Sequence, residues 1–228
     1  MWLDLLAVSL WGGIVSADTT AALQIMISHP LISCAVVGLI LGNFALGFTM
    51  GILLELVWLH EIPAGSARFS EGNVGATVAA ALAIITAQKT GRVIPAVAIS
   101  LLVAIIISMI AGRMVIWMRT MNNKLYDEVI NAQAVSIRQV EWAHTKGIFL
   151  AFFLGFFTTG LSILVLIPFV MPWVVSMIPV SMDRVLEPIS IAFLGAGCGV
   201  LLFLFKEHKM WWLVFIGLIG GFIAYFIL

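Results

Sequence analysis

Apolar residues run in long stretches along this chain, and polar residues interrupt them at only a few places. A helix that crosses the roughly 30 Å hydrocarbon core of a membrane needs about 20 apolar residues. Four stretches approach that length and are predicted to span: residues 94–118, 147–171, 189–205 and 210–228. Between the second and the third, the three prolines of residues 172–188 predict a bend. The pattern therefore predicts an all-α polytopic membrane protein.

The N-terminal part of the chain departs from this pattern. Residues 2–16 are short for a span, whereas residues 31–59 are too long and are interrupted at Gly42. The pieces 31–41 and 48–59 would each rise only about 17–18 Å as a helix. Broken or re-entrant helices occur at membrane depth where protein or a water-filled cavity surrounds them, and transporters bind substrate at such breaks. The alternative is one long kinked helix that packs closely through its glycines.

A polar segment, residues 119–146, separates two membrane halves, 1–118 and 147–228. Its apolar residues recur at loosely helical spacing, which predicts an amphipathic helix at the membrane interface. Its four basic residues predict that it is cytoplasmic, although Lys89 and Arg92 do not fit this orientation. The N-terminal half is predicted to hold the broken helices and the substrate path. In each half a proline is followed by spaced glycines. This weak similarity between the halves predicts that they are inverted repeats.

Composition supports the membrane interpretation and excludes several other functions. The chain is 63% hydrophobic and 10% charged, which leaves too few polar groups to coat a soluble domain. Basic and acidic residues number 11 each, so nothing indicates a nucleic-acid partner. HExxH, CxxC, GxSxG and Walker signatures are absent, so neither catalytic residues nor a metal or cofactor site is predicted. Cys34 and Cys198 stand in apolar runs and are expected to pack. The first helix lacks a secretory leader and is expected to stay in the membrane.

Polar residues inside the apolar N-terminal half are the candidates for function. An ionisable group at the centre of a membrane costs about 2.5–3.5 kcal/mol, so it usually faces a partner or a cavity. The candidates are Gln24, Ser28, His29, Asn43, Glu55, His60, Glu61, Arg68, Glu71 and Asn73. Glu55 shares a helical face with Trp58, and a carboxylate beside an aromatic ring is common in sugar sites. The alternatives for Glu55 are a structural pair with Arg68 or His60, or an interfacial position.

The stretch from Gln24 to Gly47 resembles an opening stretch of the IIC subunits of mannose/fructose/sorbose-type phosphotransferase systems. In that family a Gln and a Ser-Arg-Pro lead into Gly-x-x-x-Gly-Asp-x-x-x-Gly, and a Leu-Glu dipeptide follows. Here the dipeptide is Leu54-Glu55, a glycine stands ten residues later, and Glu71 follows six residues after that. Further on, Trp142-x-His144 resembles a family Trp-x-His. The chain departs from the family pattern at His29, Asn43, Pro63 and Ser70, where the family has Arg, Asp, Asn and Pro.

The resemblance implies a sugar-translocating membrane subunit in a bacterial inner membrane, surrounded by lipid. Such a IIC subunit works with a IID subunit on a hexose or an amino sugar, as an oligomer of heterodimers. Phosphohistidine-bearing IIA and IIB proteins phosphorylate the sugar on the cytoplasmic side, and IIC itself carries no phosphoryl group. With the residue-based candidates, the predicted substrate-binding set is Gln24, Asn43, Glu55, Trp58 and Glu71.

Two other functions remain open at this point. In a secondary transporter or channel that works without phosphorylation, Glu55 and Glu71 would be proton or cation sites. In a membrane scaffold or sensor, transport would have been lost.

Overall fold

The computed structural model describes residues 2–59, 70–132 and 135–207, together with Trp212, Ile216 and Ile219. The regular elements in this part of the chain are all helical, which confirms the all-α prediction. The helices are α1 (Trp2–Thr20), α2 (Pro30–Ile40), α3 (Phe44–Trp58), α4 (Gly72–Thr90), α5 (Val93–Ile130), α6 (Ile137–Val165), α7 (Met171–Met177) and α8 (Asp183–Glu207). A π-helical turn, Leu166–Val170, joins α6 to α7, and a 3-10 turn, Val180–Met182, precedes α8. Most of the predicted span 210–228 lies outside the described residues.

Within the described residues, three helical stretches are long and apolar enough to cross a membrane: Val93–Ile130, Ile137–Met177 and Val180–Phe203. They contain the first two predicted spans and all but the last two residues of the third, so helices long and apolar enough to span are confirmed at these three places. Pro172 lies in the first turn of α7, where the missing N–H of a proline costs little. The chain bends after α7, close to Pro179 and within the predicted residues 172–188.

The apolar run at 31–59 is broken into two antiparallel helices, α2 and α3. Gly42 in the connecting turn has a φ of +72°, which glycine adopts without steric cost. Asn43 then caps α3, because its side chain accepts the main-chain N–H three residues on, at 3.2 Å. The two helices touch through glycines: a Cβ on Gly47 would lie 2.5 Å from the carbonyl oxygen of Cys34. The single kinked helix is therefore wrong, although the close packing expected of its glycines is present.

Helix α4 lies at the centre of the described part of the molecule. Fifteen of its 19 residues are buried, so it has almost no face left for lipid. Many of them are alanines, and their small side chains let the neighbouring helices approach on several sides. The hydroxyls of Ser33 and Thr77, 2.7 Å apart, link α2 to α4 inside this core.

Residues 119–130 and 137–146 of the polar segment are helical, as its periodicity predicts, but they do not form a separate helix. Residues 119–130 contain neither proline nor glycine, so nothing ends α5 at the edge of its apolar run. Helix α5 continues to Ile130, and α6 begins after Ser136, which shares a reciprocal capping box with Gln139. The interfacial helix is thus replaced by the ends of two long helices.

The two stretches behind the predicted inverted repeat differ locally. Pro30 begins α2, whereas Pro188 lies inside α8. The repeat stays a prediction.

Arg92, which conflicted with the predicted orientation, is bound inside the protein. Its guanidinium donates to the carbonyl oxygens of Val175 at 2.9 Å, Ile178 at 2.6 Å and Pro179 at 3.4 Å, and it pairs with Asp183. Its charge is therefore satisfied within the chain and is not a free loop charge of the kind that orients membrane proteins. The same contacts fix the connection between α7 and α8 against the turn between α4 and α5.

Candidate functional site

A polar cavity of about 230 Å³ lies where the ends of four helices meet. The C-terminal ends of α1 and α3 and the N-terminal ends of α2 and α4 surround it, and the segment between α1 and α2 forms one wall. The lining residues are Asp18, Thr19, Gln24, Met26, Ser28, His29, Pro30, Glu55, Trp58, Ser70, Glu71, Gly72 and Asn73. Breaks in the helices therefore supply the polar groups of this cavity.

The depth of the cavity follows from a contact between α4 and α5. The main-chain N–H of Glu71 donates to the carbonyl oxygen of Ser108 at 3.0 Å. Ser108 lies 15 residues into α5, which is about 22 Å along the helix axis, and the apolar run continues beyond it to residue 118. The cavity thus lies beside the membrane-spanning part of α5 and not at its end.

Glu55 joins α3 to the start of α2. Its Oε1 lies 2.8 Å from Nδ1 of His29, and its Oε2 accepts the main-chain N–H of Leu31 at 2.9 Å. A structural pair is therefore present, but with His29; Arg68 and His60, the partners considered from sequence, lie outside the described residues. Each carboxylate oxygen has a second lone pair, so Glu55 can also accept a bond from a ligand.

Glu71 and Trp58 also line the cavity. Glu71 is only 1% exposed and stands just before α4, where the partial positive charge of a helix N-terminus favours a carboxylate. The ring of Trp58 packs directly on the start of α4, since a Cβ on Gly72 would lie 2.3 Å from Trp58 Cγ. An aromatic surface and a carboxylate thus face the cavity together.

Asp18 belongs to the site although it was not predicted. It is 1% exposed, and its two oxygens accept the main-chain N–H groups of Ile25 and Ser28, each at 2.9 Å. The sequence signal was a lone carboxylate near the end of an apolar helix. Asn73 is a further contributor, and its amide donates to the Thr19 hydroxyl at 3.0 Å.

Four of the five predicted binding residues line this one cavity: Gln24, Glu55, Trp58 and Glu71. Asn43 does not. It caps the far end of α3, twelve residues before Glu55, which is about 18 Å away along the helix. There it lines a different and more apolar cavity beside α8.

The chemistry of the cavity suits a small solute with many hydroxyl groups. Carboxylates, amides and hydroxyls can donate and accept hydrogen bonds in several directions, and Trp58 offers an apolar face. Within the described residues, no three His, Cys, Asp or Glu side chains come together in a group that could hold a metal ion.

Comparison with known proteins identifies the family. The family model described as "PTS system sorbose-specific IIC component" matches residues 2–227. The chain belongs to this family. The resemblance seen in residues 24–71 is thereby confirmed, and this IIC component is a multi-pass membrane protein of the sugar phosphotransferase system.

Solved structures that resemble this IIC component include the following two, whereas no curated protein matches its sequence. The first is titled "Structure of membrane protein"; it has a TM-score of 0.74 at 18% identity and covers 98% of this chain and 94% of that one. That likeness supports the fold. The second is titled "CryoEM Structure of Mannose Transporter ManYZ and Microcin E492 (MceA) complex"; it has a TM-score of 0.49 at 17% identity with the same coverage.

Proposed function

We propose that this chain is the sugar-translocating IIC subunit of a mannose-type phosphotransferase system and that the polar cavity binds the sugar. The observation that carries the proposal is the cavity itself, which collects polar side chains at membrane depth where α2 and α3 break the membrane-spanning pattern. Polar groups at such a depth are costly, and transporters place their substrate at broken helices.

The size and lining of the cavity favour a monosaccharide. Pockets for drug-sized ligands measure roughly 300–1,000 Å³, so a cavity of about 230 Å³ suits a smaller molecule. A hexose or an amino sugar would lay its C–H face on Trp58 and direct its hydroxyls at Gln24, Glu55 and Glu71.

The remaining functions belong to partner proteins. A IID-like membrane subunit would complete the transport unit, as an oligomer of heterodimers in a bacterial inner membrane, and IIA and IIB proteins would deliver the phosphoryl group. Helix α8 supports a membrane partner, because only 11% of its most apolar window is buried within this chain. No residue of this chain is expected to carry the phosphoryl group.

Binding of labelled sugars to the complex with its IID-like partner tests the proposal. Gln24→Ala removes a cavity side-chain amide that makes no hydrogen bond with the described residues. The loss of one neutral hydrogen bond, about 0.5–1.5 kcal/mol, should weaken binding by roughly two- to tenfold. Asn123→Ala is the matched control, since it removes an exposed amide from α5. Equal sugar affinities for both variants and the wild type would contradict sugar binding in this cavity.

Uptake experiments separate the proposal from transport without phosphorylation. Cells that express the complete system should accumulate sugar phosphate in a phosphoenolpyruvate-dependent way. Accumulation of free sugar that a protonophore abolishes would instead establish a secondary transporter, with Glu55 and Glu71 as proton sites.

A further inference from the structure

We propose that Asp18 is a positioning residue that holds residues 21–29, here called the cover segment, against the sugar cavity. The inference rests on the proposed function, because it assigns a role in sugar access to a residue outside the predicted set. It stands on the contacts of Asp18, on the backbone of the cover segment and on the place of this segment in the cavity wall.

The contacts of Asp18 are directed at the cover segment. One carboxylate oxygen accepts the N–H of Ile25 and the other that of Ser28, each at 2.9 Å. With 1% of its surface exposed, Asp18 is almost closed to solvent, although it borders the cavity. Charge-assisted bonds to main-chain N–H groups are among the stronger hydrogen bonds in proteins. A single side chain therefore ties down both the middle and the end of the segment.

The backbone of the cover segment is strained. Leu23, Gln24 and Met26 have φ values of +68°, +53° and +69°, in the left-handed region that residues with a Cβ rarely adopt. Three such residues within four positions persist only where other contacts enforce the conformation. The two bonds from Asp18 are such contacts, so we expect the segment to leave this conformation when they are lost.

The cover segment separates the cavity from the surroundings. Gln24, Met26 and Ser28 line the cavity, and Leu23 and Ile25 do not. Leu23, Ile25 and Met26 are 62%, 63% and 64% exposed, so the segment borders both the cavity and the surroundings. Ser28, close to the buried anchor, is only 3% exposed. Release of the segment would open this wall and displace Gln24 from its place in the cavity.

The test measures access to position 28 in the complex with the IID-like partner. Ser28→Cys is made together with Cys198→Ser, because Cys198 is exposed whereas Cys34 is buried. A small charged methanethiosulfonate reagent should label the introduced thiol slowly. Asp18→Asn keeps the shape of the side chain but leaves one oxygen for two N–H groups, and labelling should become at least tenfold faster. Asp127→Asn, which makes the same change at an exposed position on α5, should leave the rate unchanged.

A second variant tests the strain independently. Leu23→Asn places at an exposed position a residue that tolerates positive φ better. It should slow the labelling of the introduced thiol in the otherwise native chain, and it should reverse part of the acceleration caused by Asp18→Asn. This arm remains decisive if Asp18→Asn alone does not accumulate in the membrane. Unchanged labelling in a folded Asp18→Asn protein, or faster labelling with Leu23→Asn, would overturn the proposal.

Sugar is added in a parallel experiment, so that the two proposals fail separately. If the cavity binds sugar, a saturating hexose should protect the introduced thiol, and Asp18→Asn should raise the KM of uptake at least tenfold at equal abundance. Accelerated labelling by Asp18→Asn without any protection by sugar would sustain the positioning role and contradict the sugar site.

Discussion

Truncation of Glu55 to alanine is expected to destabilise the protein by detaching the start of α2 from α3. The substitution removes the acceptor of the Leu31 N–H, which acts as a helix cap and contributes about 0.5–2 kcal/mol. It also removes the bond to His29, and a hydrogen bond to a charged group contributes about 1.5–3 kcal/mol. Because 35% of the His29 side chain is exposed, solvent screening lowers that part, and a total of about 2–3 kcal/mol is expected.

Glu55→Gln separates this structural role from sugar binding. Its amide oxygen can accept the Leu31 N–H while its amide nitrogen donates to Nδ1 of His29, so only the charge assistance is lost, about 1 kcal/mol. A charge-assisted bond to a sugar hydroxyl contributes about 1.5–3 kcal/mol, so sugar affinity should fall by roughly ten- to a hundredfold. Abundance in the membrane should change little.

Thermal unfolding of the purified complex, together with sugar binding, measures both effects. For a chain of this size 1 kcal/mol corresponds to a shift in Tm of about 2–4 °C, so Glu55→Ala should lower Tm by roughly 4–12 °C and Glu55→Gln by about 2–4 °C. Glu128→Ala, at an exposed position on α5, is the control and should leave Tm unchanged. If Glu55→Ala unfolds at the wild-type temperature, the link between α2 and α3 does not stabilise the fold. If Glu55→Gln binds sugar normally, Glu55 is not a sugar ligand.

Three further predictions concern packing, the α7–α8 connection and topology. Gly155→Ala should destabilise the protein by about 1–3 kcal/mol, because its Cβ would lie 2.2 Å from a main-chain oxygen of α1. Gly195→Ala is the control and should not destabilise the protein, because the space around Gly195 is open. Equal melting temperatures for the two variants would contradict this packing. Arg92→Lys should lower stability by about 1–3 kcal/mol, because an ammonium cannot reach all the carbonyl oxygens that the planar guanidinium bridges, and thermal unfolding with limited proteolysis near residue 178 will measure this. A cysteine at Tyr126, 64% exposed in the polar segment, should be labelled in inverted vesicles and not from outside intact cells; outside labelling would reverse the predicted orientation.

The features of the cavity that the sequence predicts come from single residues that differ from their neighbours along the chain. Glu55 and Glu71 are isolated carboxylates beside apolar runs, and a polar residue in that setting needs a cavity or a partner. Gly42 marks the break between α2 and α3 because a tight turn there requires a positive φ. Both signals are local, so the chain alone contains them.

The differences between prediction and structure arise where a residue's role depends on distant parts of the chain. Asn43 follows a glycine and precedes an apolar run, which fits a helix cap as well as a binding residue, and only the length of α3 places it far from Glu55. Asp18 acquires its role because residues 21–29 fold back over it, and nothing in their composition predicts left-handed backbone at Leu23 or Met26. The limits of α5 were misjudged because polarity indicates where the apolar run ends, not where the helix ends.

The burial of α4 has a consequence for how the protein enters the membrane. Insertion of a helix as an independent unit depends on the apolar surface that it can offer to lipid. Helix α4 consists mainly of alanine, glycine, threonine and a few larger apolar residues, and it is absent from the set of described helices apolar enough to span by themselves. The adjoining α5 begins three residues after α4 ends and is strongly apolar. We therefore expect α4 and α5 to leave the translocation machinery and enter the membrane as a pair. Helix α5 would hold α4 in the membrane until the other helices pack around α4.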